Sequence, residues 1–405
     1  MSINSQQSYD VIVVGAGAMG SAAAYHLAGD GQRVLLLEQF TVGHTRGSSH
    51  GGSRIIRYTH DKADYMRIMP ALFDLWRQLQ AESGEPLLQM TGGLYMGPAD
   101  EPFLCGAQQA LTAFQHPYQV FTPGELADAF PQFRLPAGWL ALYQAHSGIL
   151  AASRCVETLA RQAVKRGATL REQTQVQQIE PTGDGVRVQA AGPAGNEIFS
   201  AARLIITAGP WAPRLLGPLQ LRPPLKVTHQ QVAYFAVDQP DLYAVGRCPL
   251  YIFTALPHYY GFPIFEKPGH VKIGLEIINK VVDPDASREA DPAAVDELSA
   301  AVAQTMVGVQ PRPAQVDLCL YTETPTHDFL IDRHPEHPQI AIGCGFSGRG
   351  FKFAIGFGRL LADLATIPPG SYASEFWLPR FALTNFFAGY PAVALKAGLC
   401  DDAYS

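Results

Sequence analysis

The stretch YDVIVVGAGAMG at residues 9–20 decides which fold this sequence predicts. It opens with a continuous β-branched run ending at Val14, which is typical of a parallel strand buried on both faces. Glycines follow at once in a GxGxxG pattern, and the small residues of 21–28 then predict a helix that can pack tightly on a sheet. Residues 33–38 (RVLLLE) predict a second strand, so the chain begins with one β-α-β unit.

The glycine turn predicts a dinucleotide-binding site at the start of this helix. Gly15, Gly17 and Gly20 would let the backbone approach a pyrophosphate at the positive end of the helix. Glu38, at the end of the second predicted strand, is placed to accept hydrogen bonds from ribose hydroxyls, and its charge disfavours the 2′-phosphate of NADP. A solvated carboxylate at a strand end is the alternative interpretation. The pattern itself fits both NAD and FAD.

The C-terminal part of the chain favours FAD over NAD. Strand-and-glycine segments at 203–209 and 339–343 extend the predicted sheet, and the second leads into a helix predicted over about 350–366. Asp332 and the glycine-rich run 343–352 form a closing element that enzymes using free NAD normally lack. We therefore predict that the bound dinucleotide is FAD.

Two intervening regions differ in character, because they are rich in aromatic residues and proline and contain alternating segments such as QVAYF at 231–235. Such alternation predicts an antiparallel sheet. We predict an α/β protein (α+β overall) in which a Rossmann-type FAD-binding domain carries an inserted, mainly antiparallel β-sheet substrate domain. The predicted bounds are 1–86, 148–222 and 322–390 for the FAD-binding domain, 87–147 and 223–321 for the substrate domain, and 391–405 for a C-terminal tail.

The composition excludes several classes of function. The chain has 405 residues, 47% hydrophobic and 16% charged, with a net charge of -6, which gives no electrostatic footprint for nucleic acid. Its start lacks a signal-peptide pattern, and its first apolar run is far too short to span a membrane. The six cysteines form no CxxC pair, so neither a zinc site nor a disulfide framework is expected. We predict a cytoplasmic protein with no metal, membrane or nucleic-acid partner.

Past Glu38 the sequence carries a series of more specific motifs. They are HTRGSSHGGSRIIR at 44–57, YYGFP at 259–263, KIG at 272–274, CLY at 319–321, IDRHPEH at 331–337 and GFSGRGFK at 345–352. In type and order they resemble monomeric sarcosine oxidase and N-methyl-tryptophan oxidase, which belong to the D-amino-acid-oxidase-like flavoproteins. The resemblance extends from about Tyr9 to Leu364.

The resemblance implies an FAD joined through the flavin 8α-methyl group to the sulfur of Cys319. A buried packing residue is the alternative interpretation of this cysteine. The remaining residues expected to contact the cofactor are Gly15, Gly17, Ala18, Met19, Gly20, Glu38, Gln39, Ser48, Ser53, Arg54, Val176, Gly209, Gly345, Ser347, Gly348, Arg349, Gly350, Phe351 and Lys352.

The resemblance also implies that the substrate is a secondary or N-alkyl amino acid, whose C–N bond is oxidised to an imine by transfer of a hydride equivalent to the flavin. Arg57 and Lys352 match the residues that clamp the substrate carboxylate, where a planar fork and a point cation would fix its position. Lys272 matches a lysine over the flavin that promotes reaction with O2 to give H2O2. The alternatives are a surface ion pair for Arg57 and a solvated strand lysine for Lys272.

Further positions match residues around the flavin and the substrate. His50 and Arg54 match positions that line the flavin, where positive charge favours its reduced, anionic form. Tyr260 and Tyr321 match tyrosines that line the substrate cavity. Together with Lys272 and Glu276, these are the predicted catalytic residues.

The chain departs from the family pattern at three positions. Glu276 stands where sarcosine oxidase has an active-site histidine, Arg349 where the family usually has histidine, and Ser53 where it has threonine. A carboxylate at 276 could pair with a substrate ammonium or with Lys272, so we expect a bulky, cyclic or polar secondary amino acid rather than sarcosine. Alternatively, Glu276 points outward as a solvated carboxylate.

Two other functions remain open from the sequence. One is a flavin amino-acid dehydrogenase that passes electrons to a quinone or carrier, and Lys272 argues against it. The other is a non-catalytic flavin-binding subunit of a larger complex, which the joint presence of Arg57, Lys272, Cys319 and Lys352 disfavours. The resemblance implies a monomer, and the sequence leaves open which C–N bond is oxidised.

Overall fold

The computed structural model describes residues 8–255, 257–275, 280–368, 374 and 376–386. These residues form two compact units. The first unit contains the described residues up to Ser49, those of Cys155–Val227 and those from Tyr321 onward. The second unit contains His50–Arg154 and the described residues of Thr228–Leu320.

The described part of the chain contains eight helices and twenty strands. The helices are α1 (Ala18–Gly29), α2 (Ala63–Ser83), α3 (Pro102–Ala113), α4 (Pro123–Ala129), α5 (Ala152–Lys165), α6 (Ala212–Leu216), α7 (Pro292–Thr305) and α8 (Ala354–Thr366). The strands are β1 (Ser8–Val14), β2 (Val34–Leu37), β3 (Arg54–Arg57), β4 (Leu88–Met90), β5 (Gly93–Pro98), β6 (Gln119–Phe121), β7 (Trp139–Gln144), β8 (Ser147–Leu150), β9 (Thr169–Arg171), β10 (Gln175–Pro181), β11 (Val186–Gly192), β12 (Gly195–Ile206), β13 (Lys226–Ala236), β14 (Leu250–Phe253), β15 (Tyr259–Phe262), β16 (His270–Leu275), β17 (Lys280–Val281), β18 (Gln315–Glu323), β19 (Leu330–Arg333) and β20 (Ile340–Cys344).

The first unit is built on a sheet with a parallel centre. Strand β1 lies between β12 and β2, both parallel to it, and β20 and β9 continue the parallel order on either side. Val11 pairs with Val34 and Val14 with Leu37, and every residue of β2 is buried. The β-branched run therefore forms the central buried strand that the sequence predicts. On one side β10 and β11 extend the sheet in antiparallel fashion.

Two helices of the first unit pack unusually close together. Eight of the twelve residues of helix α1 are alanine, glycine or serine, and α8 lies against it. A Cβ placed on Gly358 of α8 would come within 2.4 Å of the Cβ of Ala22, so only glycine allows this approach. The small residues that predict tight packing of the first helix thus meet a glycine on its neighbour.

The second unit contains a nine-stranded sheet and a three-stranded one, counted over the described residues. In the larger sheet β13, β16, β15 and β14 pair in antiparallel order, and β14 joins β5 in parallel. One face buries an aromatic cluster that includes Phe133, Tyr251, Phe253 and Tyr259, with Leu298 of α7 packed against it. The small sheet pairs β3 and β4 with the two edges of β8.

This architecture matches the predicted fold class, an α/β nucleotide-binding unit with a separate, mainly antiparallel sheet. The units divide at other positions than those predicted. Residues 50–86 and 148–154 belong to the second unit, whereas the sequence placed them with the nucleotide-binding domain. Pairing of β3 with β8 explains the difference, because it holds the segment after 49 in the second unit. The predicted tail, 391–405, lies outside the described residues.

Across the described helices, none is both long and apolar enough to cross a membrane.

Candidate functional site

The glycine turn of the first unit has no room for side chains. Gly15 has a φ of 98°, and a Cβ there would lie 2.6 Å from the carbonyl oxygen of Thr207. A Cβ on Gly20 would lie 1.8 Å from the carbonyl oxygen of Gly15. These two glycines let the turn between β1 and α1 pack against the end of β12.

Gly17 is different, because it faces little of the protein. It precedes α1 as an extended residue, and as a glycine it has no side chain that could cap the helix. A Cβ on Gly17 would meet only the side chain of Ser49, whose Oγ accepts a hydrogen bond from the Ala18 amide at 3.1 Å. The start of α1, with Ala18 and Met19, is therefore the part of the turn that a pyrophosphate could approach.

Glu38 is buried rather than solvated, with 4% of its surface exposed. Its carboxylate accepts hydrogen bonds from the amide of Ala16 at 2.8 Å and from that of Phe40 at 2.9 Å. His44 lies 3.6 Å away, and burial lowers the pKa of this histidine although Glu38 opposes the shift. Glu38 thus fixes the glycine turn to the end of β2. Contact with a ribose stays a prediction.

Four other predicted cofactor residues also belong to the first unit. Gln39 accepts a hydrogen bond from Gln175, next to Val176 on β10, at 3.5 Å. Gly209 has a φ of 53° and begins a short helical turn after β12. Ser48 immediately precedes Ser49, whose hydroxyl accepts from the start of α1.

The C-terminal glycine-rich run of the first unit is a strained, closely packed loop. Gly345 and Gly348 have positive φ angles, and a Cβ on Gly348 would lie 2.2 Å from the ring of Tyr321. Ser347 also adopts a positive φ of 46°, which residues other than glycine rarely do. Its hydroxyl donates to the carbonyl of Gly345 and accepts from the amide of Thr324, which holds that conformation.

The end of this loop presents two of the predicted cations. Lys352 is buried, and its ammonium donates to the carbonyl of Arg349 at 2.9 Å. Arg349 in turn donates to the carbonyl of His327 at 2.8 Å. Gly350 packs directly against Phe346, and the partly buried Phe351 begins the turn that carries Lys352.

In the second unit, Lys272 on β16 is the centre of a buried polar cluster. Only 4% of its surface is exposed, which excludes a solvated strand lysine. Its ammonium donates to a carboxylate oxygen of Glu266 at 2.8 Å and to the hydroxyl of Ser53 at 3.2 Å. The rings of Tyr234 and Phe262 lie 5.9 and 5.7 Å from the Lys272 nitrogen.

Glu266 was missed by the sequence analysis. It accepts hydrogen bonds from the hydroxyl of Ser53, from the amide of Gly52 at 3.0 Å and from the hydroxyl of Tyr234 at 2.8 Å, in addition to its bond with Lys272. Glu266 follows the YYGFP motif, outside the matching residues. A buried lysine requires a carboxylate partner, and that requirement was the available signal.

The charges of this cluster influence one another. Burial raises the pKa of Glu266, whereas the charge of Lys272 and the hydrogen bonds to the carboxylate lower it. The lowering effects together exceed the effect of burial, so the pKa of Glu266 lies below its usual value. The pKa of Lys272 is lowered by burial and by the nearby Arg54, against the opposing effect of Glu266. Burial raises the pKa of Cys319, and the cations Arg54 and Lys272 oppose that rise.

Arg54 and Cys319 therefore join Lys272 and Ser53 in one region of the second unit. The Arg54 guanidinium donates to the carbonyls of Ser53 and His50 at 2.8 and 2.7 Å. Gly51, with a φ of 101°, lies under both cations, since its Cβ would be 3.2 Å from Arg54 and 3.5 Å from Lys272.

Arg57, at the end of β3, lies beside two aromatic rings. Its guanidinium carbon is 5.4 Å from the ring centroid of Tyr95 and 5.2 Å from that of Phe103. Within the described residues, its buried Nε and Nη1 atoms have no hydrogen-bond partner. Tyr260 on β15 and Ile55 on β3 both pack against the hydrophobic clusters that contain Ile252 and Ile149.

One predicted catalytic residue lies beyond what the structure describes. Glu276 falls in the segment 276–279, outside the described residues. Within the described ranges, no group of three or more histidine, cysteine, aspartate or glutamate side chains is arranged to hold a metal ion.

Comparison with known proteins agrees with these features. The sequence model of the family described as "DAO: FAD dependent oxidoreductase" matches residues 10–364. The chain is 36% identical over 381 residues to the peroxisomal sarcosine oxidase of Homo sapiens, which covers 92% of this chain and 96% of that protein. It is 34% identical over 382 residues to the monomeric sarcosine oxidase of Bacillus sp. (strain NS-129), covering 93% and 97%.

A solved structure of NikD, described as an unusual amino acid oxidase essential for nikkomycin biosynthesis, is also similar. Its TM-score is 0.81 at 28% sequence identity, and the match covers 91% of this chain and 96% of that one. The resemblance found from the sequence motifs is confirmed.

Replacing Gly17 by alanine is expected to leave the fold intact while lowering the flavin content. The protein itself offers only the Ser49 side chain near the added methyl group, whereas a bound pyrophosphate would need that space. We expect flavin per protein, measured by absorbance, to fall about tenfold or more, the effect of about 1.4 kcal/mol lost from binding. Circular dichroism should remain that of the unaltered protein.

The matched control is Gly183→Ala, because nothing lies within 4 Å of a Cβ at this position. Its flavin content should not change. Equal flavin content in Gly17→Ala and Gly183→Ala would contradict the assignment of the start of α1 to the pyrophosphate.

Proposed function

Because this chain belongs to the family of FAD-dependent oxidoreductases, we propose that it oxidises the C–N bond of a secondary or N-alkyl amino acid to an imine and returns the electrons to O2 as H2O2. The observation that carries the amino-acid part of the proposal is Arg57. Its guanidinium has two buried nitrogens that lack hydrogen-bond partners among the described residues.

A substrate carboxylate would satisfy these donors. Guanidinium and carboxylate groups match in shape, so two parallel hydrogen bonds fix the position of the acid as well as binding it. The rings of Tyr95 and Phe103 flank Arg57 and shield the contact from water, which strengthens it. Lys352 and the tyrosines Tyr260 and Tyr321 are proposed to complete the substrate site, as the family resemblance implies.

The residues present fit FAD as the cofactor. The glycine turn is tightly packed at Gly15 and Gly20 and open at Gly17, and a pyrophosphate could approach the backbone at the start of α1. FAD supplies the two-electron acceptor for oxidation of the C–N bond. We propose that Glu38 binds the ribose and that Cys319 forms the covalent bond to the flavin.

Two nearby cations bear on the proposed attachment at Cys319. A thiol buried in apolar surroundings is inert, whereas cations beside it favour the reactive thiolate. Arg54 and Lys272 are such cations, and both oppose the rise in the pKa of Cys319 that burial causes.

Lys272 supports an oxidase over a dehydrogenase. A fixed cation beside a reacting centre stabilises the negative charge that develops on O2 without having to reorganise. Keeping an ammonium buried is costly, and such groups cluster at functional sites. A dehydrogenase that passes its electrons to a quinone or carrier would not need this cation.

Substrate choice is proposed to depend on Glu276, which could pair with a second polar or basic group. A bulky, cyclic or polar secondary amino acid would then be preferred to sarcosine. The enzyme is proposed to act as a monomer in the cytoplasm, as its resemblance to monomeric sarcosine oxidase and its scattered cysteines imply.

Hydrogen peroxide should form when the enzyme is given sarcosine, N-methyl-tryptophan, proline and pipecolate in turn, with at least one turned over efficiently. For the best substrate, Arg57→Lys should raise KM by about 10- to 100-fold, or about 1.4–2.8 kcal/mol, because lysine keeps the charge but loses the planar fork. The exposed Arg312, paired with Asp296 on the surface, provides the control variant Arg312→Lys. An unchanged KM in Arg57→Lys would refute its role as the carboxylate clamp.

Lys272→Met should slow reoxidation of the flavin by O2 by roughly 100- to 1,000-fold, while anaerobic reduction by substrate changes much less. Stopped-flow absorbance separates the two half-reactions. Lys165→Met, at an exposed lysine, should leave both rates as they are. Equal losses in both half-reactions would indicate that Lys272 serves the structure instead.

Acid-precipitated protein should stay yellow if the flavin is covalently bound, and Cys319→Ala should release the colour into the supernatant. Cys344→Ala is the control, since Cys344 is a fully buried cysteine whose pKa burial raises to about 12. A colourless precipitate from the unaltered protein would show that FAD is held without a covalent bond.

A further inference from the structure

The carboxylate of Glu266 receives four hydrogen bonds from three different parts of the second unit. Lys272 belongs to β16, Tyr234 to β13, and Gly52 and Ser53 to the segment before β3. An ordinary surface ion pair is exposed and held by one partner. Glu266, with 13% of its side chain exposed, is instead fixed in place from several sides.

The neighbouring residues Gly51 and Gly52 leave space for the carboxylate of Glu266 and for the cations beside it. Gly52 does not have a positive φ, so its backbone conformation does not require glycine. A Cβ at Gly52 would, however, lie 2.3 Å from Cγ and 2.5 Å from Cδ of Glu266. Gly51 leaves space for the two cations in the same way, since a Cβ at Gly51 would lie within 3.5 Å of both Arg54 and Lys272. The pair of glycines therefore admits the carboxylate on one side and the cations on the other.

Glu266 is the acid that balances these cations. The groups that face Lys272 are Glu266, Arg54, Cys319 and the phenol of Tyr234. Burial raises the pKa of Cys319, and burial with the charge of Glu266 raises that of Tyr234, so thiol and phenol are both neutral at physiological pH. Near Glu266, the hollow that it lines also contains Lys267 and His270, which are both basic.

From this arrangement we propose that Glu266 is the positioning residue of Lys272, holding the amine in one place and keeping it protonated so that the cation is present when O2 reacts. The inference rests on the proposed role of Lys272 in the reaction with O2. A buried lysine beside an arginine tends to lose its proton, and an adjacent carboxylate counteracts this loss. The bond through Ser53 adds a second fixed contact to the same amine.

The test measures reoxidation of the reduced enzyme by O2 as a function of pH, separately from anaerobic reduction. In the unaltered enzyme the rate should fall at alkaline pH, as Lys272 is deprotonated. Glu266→Gln keeps the shape of the side chain but removes its charge, so the fall should move to lower pH by about 1–3 units. Well below that pH, where Lys272 is protonated in both proteins, the rates should be similar.

Two further variants make the result specific. Glu180→Gln makes the same chemical change in a surface pair with Arg187, and its pH profile should coincide with that of the unaltered enzyme. Glu266→Asp keeps the charge but shortens the reach, so reoxidation should be slower while its alkaline fall stays in place. If Glu266→Gln does not fold, Glu266→Asp decides, since a profile shifted to lower pH in that variant would overturn the proposal.

The outcomes separate this inference from the proposed function. If Lys272→Met slows reoxidation but Glu266→Gln falls at the same pH as the unaltered enzyme, Glu266 does not keep Lys272 protonated. If Lys272→Met has no effect on reoxidation, the role of Lys272 itself is wrong. If Glu266→Gln lowers reduction and reoxidation equally at every pH, Glu266 serves only the fold.

Discussion

The buried charge of Lys272 is the constraint on which the site of the second unit depends. An ammonium is not buried without a partner, since the desolvation free energy of an unpaired charge exceeds the free energy that stabilises a folded protein. Glu266 supplies the opposite charge, and Ser53 supplies a further acceptor. The segment before β3 follows from the same constraint, because Gly51 and Gly52 leave the space in which these groups meet.

The first unit meets a different constraint, the close approach of backbone to backbone. Gly20 lies against the carbonyl of Gly15, and Gly358 lies against Ala22 where α8 packs on α1. Glu38 fixes the glycine turn by accepting a hydrogen bond from the amide of Ala16. In this unit the groups available to a ligand are main-chain amides at the start of α1, whereas the second unit presents charged side chains. The proposed dinucleotide site and the charged cluster around Lys272 thus have separate structural origins.

The sequence predicts the local elements well and the long-range pairings poorly. The order β1, glycine turn, α1 and β2 can be predicted from the sequence because each element has its own pattern of apolar and small residues. The division between the units after Ser49 cannot be predicted from local patterns, because it depends on the pairing of β3 with β8, which lies almost a hundred residues further along the chain. Glu266 lies only six residues before Lys272, and it was missed because the sequence does not show that Lys272 is buried and therefore requires a carboxylate partner.

The departures from the family pattern can now be weighed by what each side chain does. Ser53 contributes a hydroxyl to both Glu266 and Lys272, and a threonine would offer the same group, so this change leaves the chemistry of the cluster intact. Arg349 donates to the carbonyl of His327, a contact that orders the loop carrying Lys352. Of the three departures, Glu276 alone replaces a titratable base by an acid. We therefore propose that a change in substrate preference depends on Glu276, while the residues proposed to handle oxygen retain the charges that this reaction needs.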